Sequence, residues 1–222
     1  FQLDGLPRVE GFLVGRPVIE VPGIVQRLCG ICPASHHLAG VAALDHLIGA
    51  GDPPPAGMAS RRLLNLASIL DAHATRLFQT GPEHALAIRA FAKQVMVAAG
   101  SPGYFPTTAI PGGAREAVPA DLRDELLASG EQMLAAMEAL VVAAPQSDTP
   151  PLPFDGPDVA LTDATGSLDL FGDRLRVIDA DGKTLIAGAT VNEWQNLVTE
   201  TYPNHSASRP YLTVLGPMGH YR

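Results

Sequence analysis

Residues 27–37 read RLCGICPASHH, and they hold both cysteines of a 222-residue chain, Cys29 and Cys32, with two histidines, His36 and His37, close behind. Two thiolates at C-x-x-C spacing converge on one soft or borderline metal, because a tight turn brings their sulfurs within chelating distance. Four readings of the stretch stand open. A zinc site made of Cys29, Cys32, His36 and His37 would be unusually local, since structural zinc ties two separated ligand pairs together. A thioredoxin-like dithiol needs a preceding strand and a βαβ context, whereas the preceding RPVIEVPGIVQRL carries Pro17 and Pro22 and no clean strand. A buried thiol pair without chemistry is the plainest reading. The fourth is a thiolate metal site completed by another part of the protein.

Composition limits what surrounds that turn. The chain is 46% hydrophobic and 17% charged, enough to bury one sizeable core or two small ones. Lys and Arg total 15 against 23 Asp and Glu, a formal charge of −8, which argues against a phosphate backbone and so against nucleic acid as a partner. No uninterrupted apolar run approaches the roughly 18–20 residues that cross a bilayer, and Phe1-Gln2-Leu3-Asp4 is not a basic leader. Two cysteines three apart without a secretory leader favour a reducing compartment and free thiolates over a disulfide framework. The expectation is a soluble, cytoplasmic protein whose first residue reads as a cut end.

Proline and glycine clusters divide the chain into helical stretches and one late β-rich patch. Residues 35–50 carry Leu38, Val41, Ala42 and Ile48 at helical spacing and end at GAGDPPPAG. In 57–79 the stripe Leu63, Leu66, Leu70, His73, Leu77 predicts an amphipathic helix with His73 as a core histidine. GSPGYFPTTAIPGG (100–113) is an irregular, packed loop, in which Pro111-Gly112-Gly113 shapes the backbone. Leu122, Leu126, Met133, Met137 and Leu140 mark a long helix over 120–143, weakened at Gly130 and stopped by Pro145. After the linker PQSDTPPLP, SLDLFGDRLRVIDADGKTLIAG (167–188) alternates around Gly172-Asp173 and Asp181-Gly182, an antiparallel meander. VNEWQNLVTE returns to helix. The fold class is therefore α+β, mainly helical. We treat 1–222 as a single partial domain: 1–150 is a helical part carrying the C-x-x-C turn, and 151–222 a β meander plus helix.

RLCGICPASH resembles the N-terminal signature of the nickel–iron hydrogenase large subunit, R-x-C-G-x-C-x-x-x-H, and GRPVIEVPGIVQRLCGICPASHHLAG resembles its bidirectional, NAD-linked cytoplasmic class. ILDAHATRLF is similar to the family's Ser-His helix, with Ala72 replacing the serine. FPTTAIPGGA resembles its His-Pro…Pro-Gly-Gly loop, with Phe105 where histidine is usual. SLDLFGDRLRVIDADGK and LGPMGHYR look like its later meander and the approach to a Val-Gly-Pro-Leu-Ala-Arg segment.

The resemblance implies that Cys29 is a terminal nickel ligand and that Cys32 bridges nickel and an iron bearing diatomic ligands, a role that suits a thiolate with lone pairs to spare. It makes His36 the histidine that hydrogen-bonds the bridging sulfur and Arg27 an electrostatic buttress of the turn. Glu10 falls where the family binds magnesium, as a carboxylate can, although Pro7-Arg8-Val9-Glu10 displaces the usual arginine by one. A helix-start imidazole, a surface ion pair and a solvated carboxylate are the plain alternatives for those three. His37 has no counterpart and reads as surface. The implied activity is reversible hydrogen oxidation, with electrons leaving through the iron–sulfur clusters of a separate small subunit, then onward to NAD-linked diaphorase subunits. The family's second C-x-x-C and its Arg-Ile-Glu-Gly-His stretch do not occur here, so the chain reads as an interior fragment, roughly the N-terminal half, holding half the metal ligands and inactive alone. A metal-free scaffold homologue and a dithiol redox module remain the alternatives. For a metal role the sulfurs should lie roughly 3–4 Å apart with His36 beside Cys32.

Overall fold

The computed structural model describes residues 10–144, 155–202 and 210–216. In chain order its elements are α1 (Glu10–Leu13), a 3₁₀ turn (Val18–Glu20), α2 (Val21–Val25), α3 (Pro33–Ile48), α4 (Pro55–Arg76), α5 (Pro82–Ala98), β1 (Ala109–Ile110), β2 (Gly113–Ala114), α6 (Ala120–Ala143), β3 (Asp158–Thr162), β4 (Arg174–Ile178), β5 (Thr184–Thr190), a second 3₁₀ turn (Val191–Glu193), α7 (Trp194–Leu197), β6 (Val198–Glu200) and β7 (Pro210–Leu212). The mainly helical α+β expectation holds. Residues 17–50 contain helices and turns, not the parallel sheet that a thioredoxin-like dithiol requires. The chain divides into two compact units, Gly15–Asp148 and Phe1–Val14 with Thr149–Arg222.

Proline starts three helices of the first unit. Pro33, Pro55 and Pro82 open α3, α4 and α5, where a missing N–H costs nothing and a fixed φ is already helical. Gly49 then closes α3 in the left-handed conformation. The 82–98 helix went unread in the sequence, yet α5 is central: its Ala85, Ile88, Ala92, Val95 and Ala98 are all buried. Ala85 and Ile88 pack with Ala74, Ala136 and Leu140, and Val95 and Ala98 with Ala67 and Leu126. A third cluster joins Ala34, Leu38 and Val41 of α3 to Leu64, Ala99 and Ala109.

Two expectations for the long helices need correction. The buried face of α4 is Ser60, Arg61, Leu64, Ala67 and Ala74, while Leu66 and His73 are exposed. Leu63, Leu70 and Leu77 of the stripe pack against the core from its edge, the small residues fill the close approach of α4 and α5, and His73 is not a core histidine. The helix α6 also contains an 18-residue window with mean hydropathy 1.4, long and apolar enough to cross a membrane by length and composition. Acidic residues interrupt it, which is why a search for one continuous apolar run passes it over. Here Leu126, Ala136 and Leu140 of α6 are buried. Pro145, the expected stop, lies outside the described residues.

In the second unit β3, β4 and β5 form an antiparallel sheet in that order, and β6 pairs antiparallel with β7. The first strand is 158–162, with Leu168 contributing only an isolated bridge to Thr162. Polar turns occupy the interval: Asp163 Oδ1 accepts from the N–H groups of Thr165 and Ser167 at 2.8 and 3.0 Å. Gly172 passes so close to Thr162 that a Cβ there would lie 2.2 Å from the Thr162 carbonyl oxygen. The expected 191–200 helix is one short turn, α7, before the chain re-enters a strand.

Candidate metal centre

The helix α3 begins at the cysteine turn. Cys32 is its N-cap residue and Pro33 follows directly, so both sulfurs lie at the helix end where unpaired N–H groups and the helix dipole favour negative charge. The Cys32 N–H donates to Cys29 Sγ at 3.3 Å and the His36 N–H to the Cys32 carbonyl at 3.3 Å. This local winding brings one ligating atom each from Cys29, Cys32 and His36 within 4.8 Å of one another, all three residues half-buried. Two thiolates and an imidazole suit a soft or borderline transition metal and fit nickel.

The structure closes Cys29 and Cys32 into a disulfide, with the Cα atoms 5.5 Å apart. The expected free thiolates are paired here, and this Cα separation lets an oxidant close the two thiols into a disulfide without backbone movement. The same short turn is what a chelate needs, and a metal held by both sulfurs would require the reduced form.

Arg27 is exposed. Its guanidinium donates to the Gly23 carbonyl and lies 4.8 Å from the centroid of the Phe105 ring. Tyr104 meets Phe105 edge-on at 5.3 Å and donates its hydroxyl to the carbonyl of Gly30, between the two cysteines.

His37 is buried, 5% exposed, where a surface residue is expected. Helical rotation explains the reversal: one residue beyond His36, the side chain turns from the cysteine turn into the core beside the backbone of Pro22 and Ala109. Neither ring nitrogen completes a hydrogen bond of ordinary geometry. Burial holds its pKa below the usual histidine value; the Ala109 backbone opposes that shift and Arg61 adds to it.

A buried pair joins the last turn of α3 to α4 without any signal in the sequence. Arg61 Nη1 reaches Asp45 Oδ2 at 2.5 Å, while its Nε and Nη2 donate to the carbonyls of Gly113 and Ile110 at 2.9 and 2.8 Å. Asp45 Oδ1 accepts from the Gly112 N–H at 2.6 Å. Gly112 has φ +84°, a conformation open to glycine, so the β1–β2 hairpin turns as Pro-Gly-Gly suggests. Isolated in sequence, Asp45 and Arg61 carry no motif that signals their meeting.

Glu10 opens the four-residue α1 of the other unit and is exposed. Among the described residues no grouped set of potential metal ligands includes it.

With this geometry in place, residues 8–82 match the family described as nickel-dependent hydrogenase. The chain is 30% identical to a vhu subunit of the F420-non-reducing hydrogenase of Methanocaldococcus jannaschii, over 99% of this chain and 60% of that protein. It is 25% identical to the NAD-reducing hydrogenase HoxS subunit beta of Cupriavidus necator, over 93% of this chain and 52% of that one. Among solved structures, an H2-reduced NAD+-reducing [NiFe]-hydrogenase superposes with a TM-score of 0.81 at 30% identity, covering 98% of this chain and 56% of its own. A [NiFeSe]-hydrogenase from Dm. baculatum shares the fold at 19% identity and a TM-score of 0.64. The chain is thus homologous to nickel–iron hydrogenase large subunits and spans a little over half the length of these relatives.

Proposed function

Starting from that homology, we propose that the chain forms part of the large subunit of a nickel–iron hydrogenase that oxidises hydrogen reversibly, with Cys29 as a terminal nickel ligand and Cys32 as the sulfur shared by nickel and iron. The observation that carries this reading is the convergence of Cys29, Cys32 and His36 within 4.8 Å at the start of α3. When bound, the metal pair supplies heterolytic cleavage of H2. The chain's own part is to present two reduced sulfurs, to place His36 beside them as a hydrogen-bond donor, and to offer a thiolate as proton acceptor. Glu10 is the carboxylate for a magnesium ion in this reading.

Two sulfurs make half of a four-thiolate site, so residues 1–222 alone are inactive and the remaining ligands come from elsewhere in the protein. Exposed Leu28 and Ile31 beside the cysteines, at 47% and 85%, agree with a turn that another surface covers. Electrons pass to an iron–sulfur small subunit, then to diaphorase subunits using NAD, a partner set supported by likeness to two NAD-reducing enzymes. The location in this reading is cytoplasmic.

Hydrogen-dependent dye reduction by the intact protein, matured with its iron–sulfur partner and assayed for nickel, tests the assignment. Activity with stoichiometric nickel, both lost in Cys29→Ser, is the expected result. A nickel-free, inactive complex with both cysteines intact overturns it. The Cys29–Cys32 disulfide favours one second reading, a dithiol redox module. That reading gains if the intact protein exchanges disulfides with a small thiol while binding no metal.

A further inference from the structure

We propose that the 100–108 loop is a clasp that fixes the shape of the Cys29–Cys32 turn, with Tyr104 and Phe105 as its positioning residues; as a statement about metal ligation this rests on the reading above. The two ends of the loop are immobilised. At its start the Ser101 N–H donates to the Met96 carbonyl at 2.9 Å, and Ser101, Pro106 and Thr108 are fully buried. At its end Arg61 and Asp45 grip the β1–β2 hairpin through Ile110, Gly112 and Gly113. Between these anchors the two aromatic side chains project outward, 55% and 38% exposed, and both engage the segment that carries the cysteines. Tyr104 donates to the Gly30 carbonyl and the Phe105 ring lies under the Arg27 guanidinium.

The turn's other restraints are local, the Cys32 N–H on Cys29 Sγ and the pairing of the two sulfurs, and neither ties it to the rest of the fold. A side chain at Gly30 would meet no atom within 4 Å, and Ile31 is 85% exposed. The peptide between the sulfurs is therefore unpacked on its own account, and the tyrosine hydroxyl is the contact that ties it to a distant part of the chain. Arg27, two residues before Cys29, receives a second tether through the ring face, a contact that strengthens as water is excluded. Two attachments, one between the sulfurs and one before them, define the path of the turn on which chelation depends.

The test uses the intact protein, reduced and metal-free, and follows alkylation of Cys29 and Cys32 by iodoacetamide with peptide mass spectrometry. Tyr104→Phe removes the hydroxyl and keeps the ring. It should raise the alkylation rate at Cys29 about fivefold, the equivalent of one net hydrogen bond, with circular dichroism unchanged and melting lowered by only about 2–4 °C. Phe105→Leu should raise the rate similarly, and Phe105→Trp, which keeps a ring face for Arg27, should restore it. Rates within twofold of wild type in both Tyr104→Phe and Phe105→Leu overturn the clasp. Nickel uptake measured in parallel separates the two ideas. Faster alkylation in a protein that binds no nickel upholds the clasp and removes the metal reading; nickel binding with unchanged alkylation does the reverse.

Discussion

Arg61 and Asp45, from two different helices, meet at 2.5 Å with their side chains 5% and 10% exposed, and the same guanidinium fork holds two carbonyls of the β1–β2 hairpin. Removing one partner of such a pair leaves an uncompensated buried charge. Arg61→Ala or Asp45→Asn should therefore lower stability by about 3–5 kcal/mol. Arg61→Lys keeps the charge and loses the fork, and should fall between these variants and wild type. Urea unfolding followed by circular dichroism measures all three; a loss below about 1 kcal/mol for Arg61→Ala would place the pair among weak surface bridges.

Ligand roles separate by the size of the loss. In the intact protein Cys32→Ser should abolish nickel binding, since it removes a donor from the centre. His36→Ala should weaken affinity about 10- to 100-fold, as expected for a side chain that orients a ligand. Metal analysis and competition with a chelator distinguish the two. Equal, complete loss in both variants would make His36 a direct ligand.

The close pass of Gly172 over Thr162 gives a local test in the second unit. A methyl group there must displace backbone, because its Cβ would stand 2.2 Å from a carbonyl oxygen. Gly172→Ala should cost about 1–3 kcal/mol or more. Amide exchange should accelerate in β3 and β4 while α3 to α5 keep their protection. Unchanged exchange at Thr162 and Arg174 would contradict that geometry.

Asp163 supplies a pH signature. The Thr165 hydroxyl is the first cause holding its pKa below the ordinary carboxylate value, and the Ser167 N–H is the next. A folded pKa below the unfolded one means that the contribution is present above the unfolded value and is lost as pH falls through the folded one. Thr165→Ala should move the Asp163 titration upward, toward the ordinary value, as read by carboxyl NMR. An unmoved titration would assign the effect to the backbone donors alone.

The end of α3 was legible, since Gly49 and the prolines after it act through covalent geometry that no tertiary contact alters. The helix α5 was also legible in principle from Ala85, Ile88, Ala92 and Val95, but alanine gives a faint stripe. The α4 stripe holds for Leu63, Leu70 and Leu77, which pack against the core, but not for Leu66 and His73, because helix contact selects small residues and puts Ala67 and Ala74 inside. In the site, C-x-x-C with His36 is local chemistry and visible as spacing. Asp45, Arg61 and the hairpin are separated by 16 to 67 residues, and Tyr104 from Gly30 by 74, so only the fold joins them.

That last separation has a meaning in time. During synthesis Gly30 leaves the ribosome 74 residues before Tyr104, and at roughly 5–20 residues per second the delay is on the order of 4–15 s. For that interval the cysteine turn exists without the aromatic side chains that later bind it. The nascent chain is thus more open at its two cysteines than the finished one, and slower translation over that interval lengthens the opening.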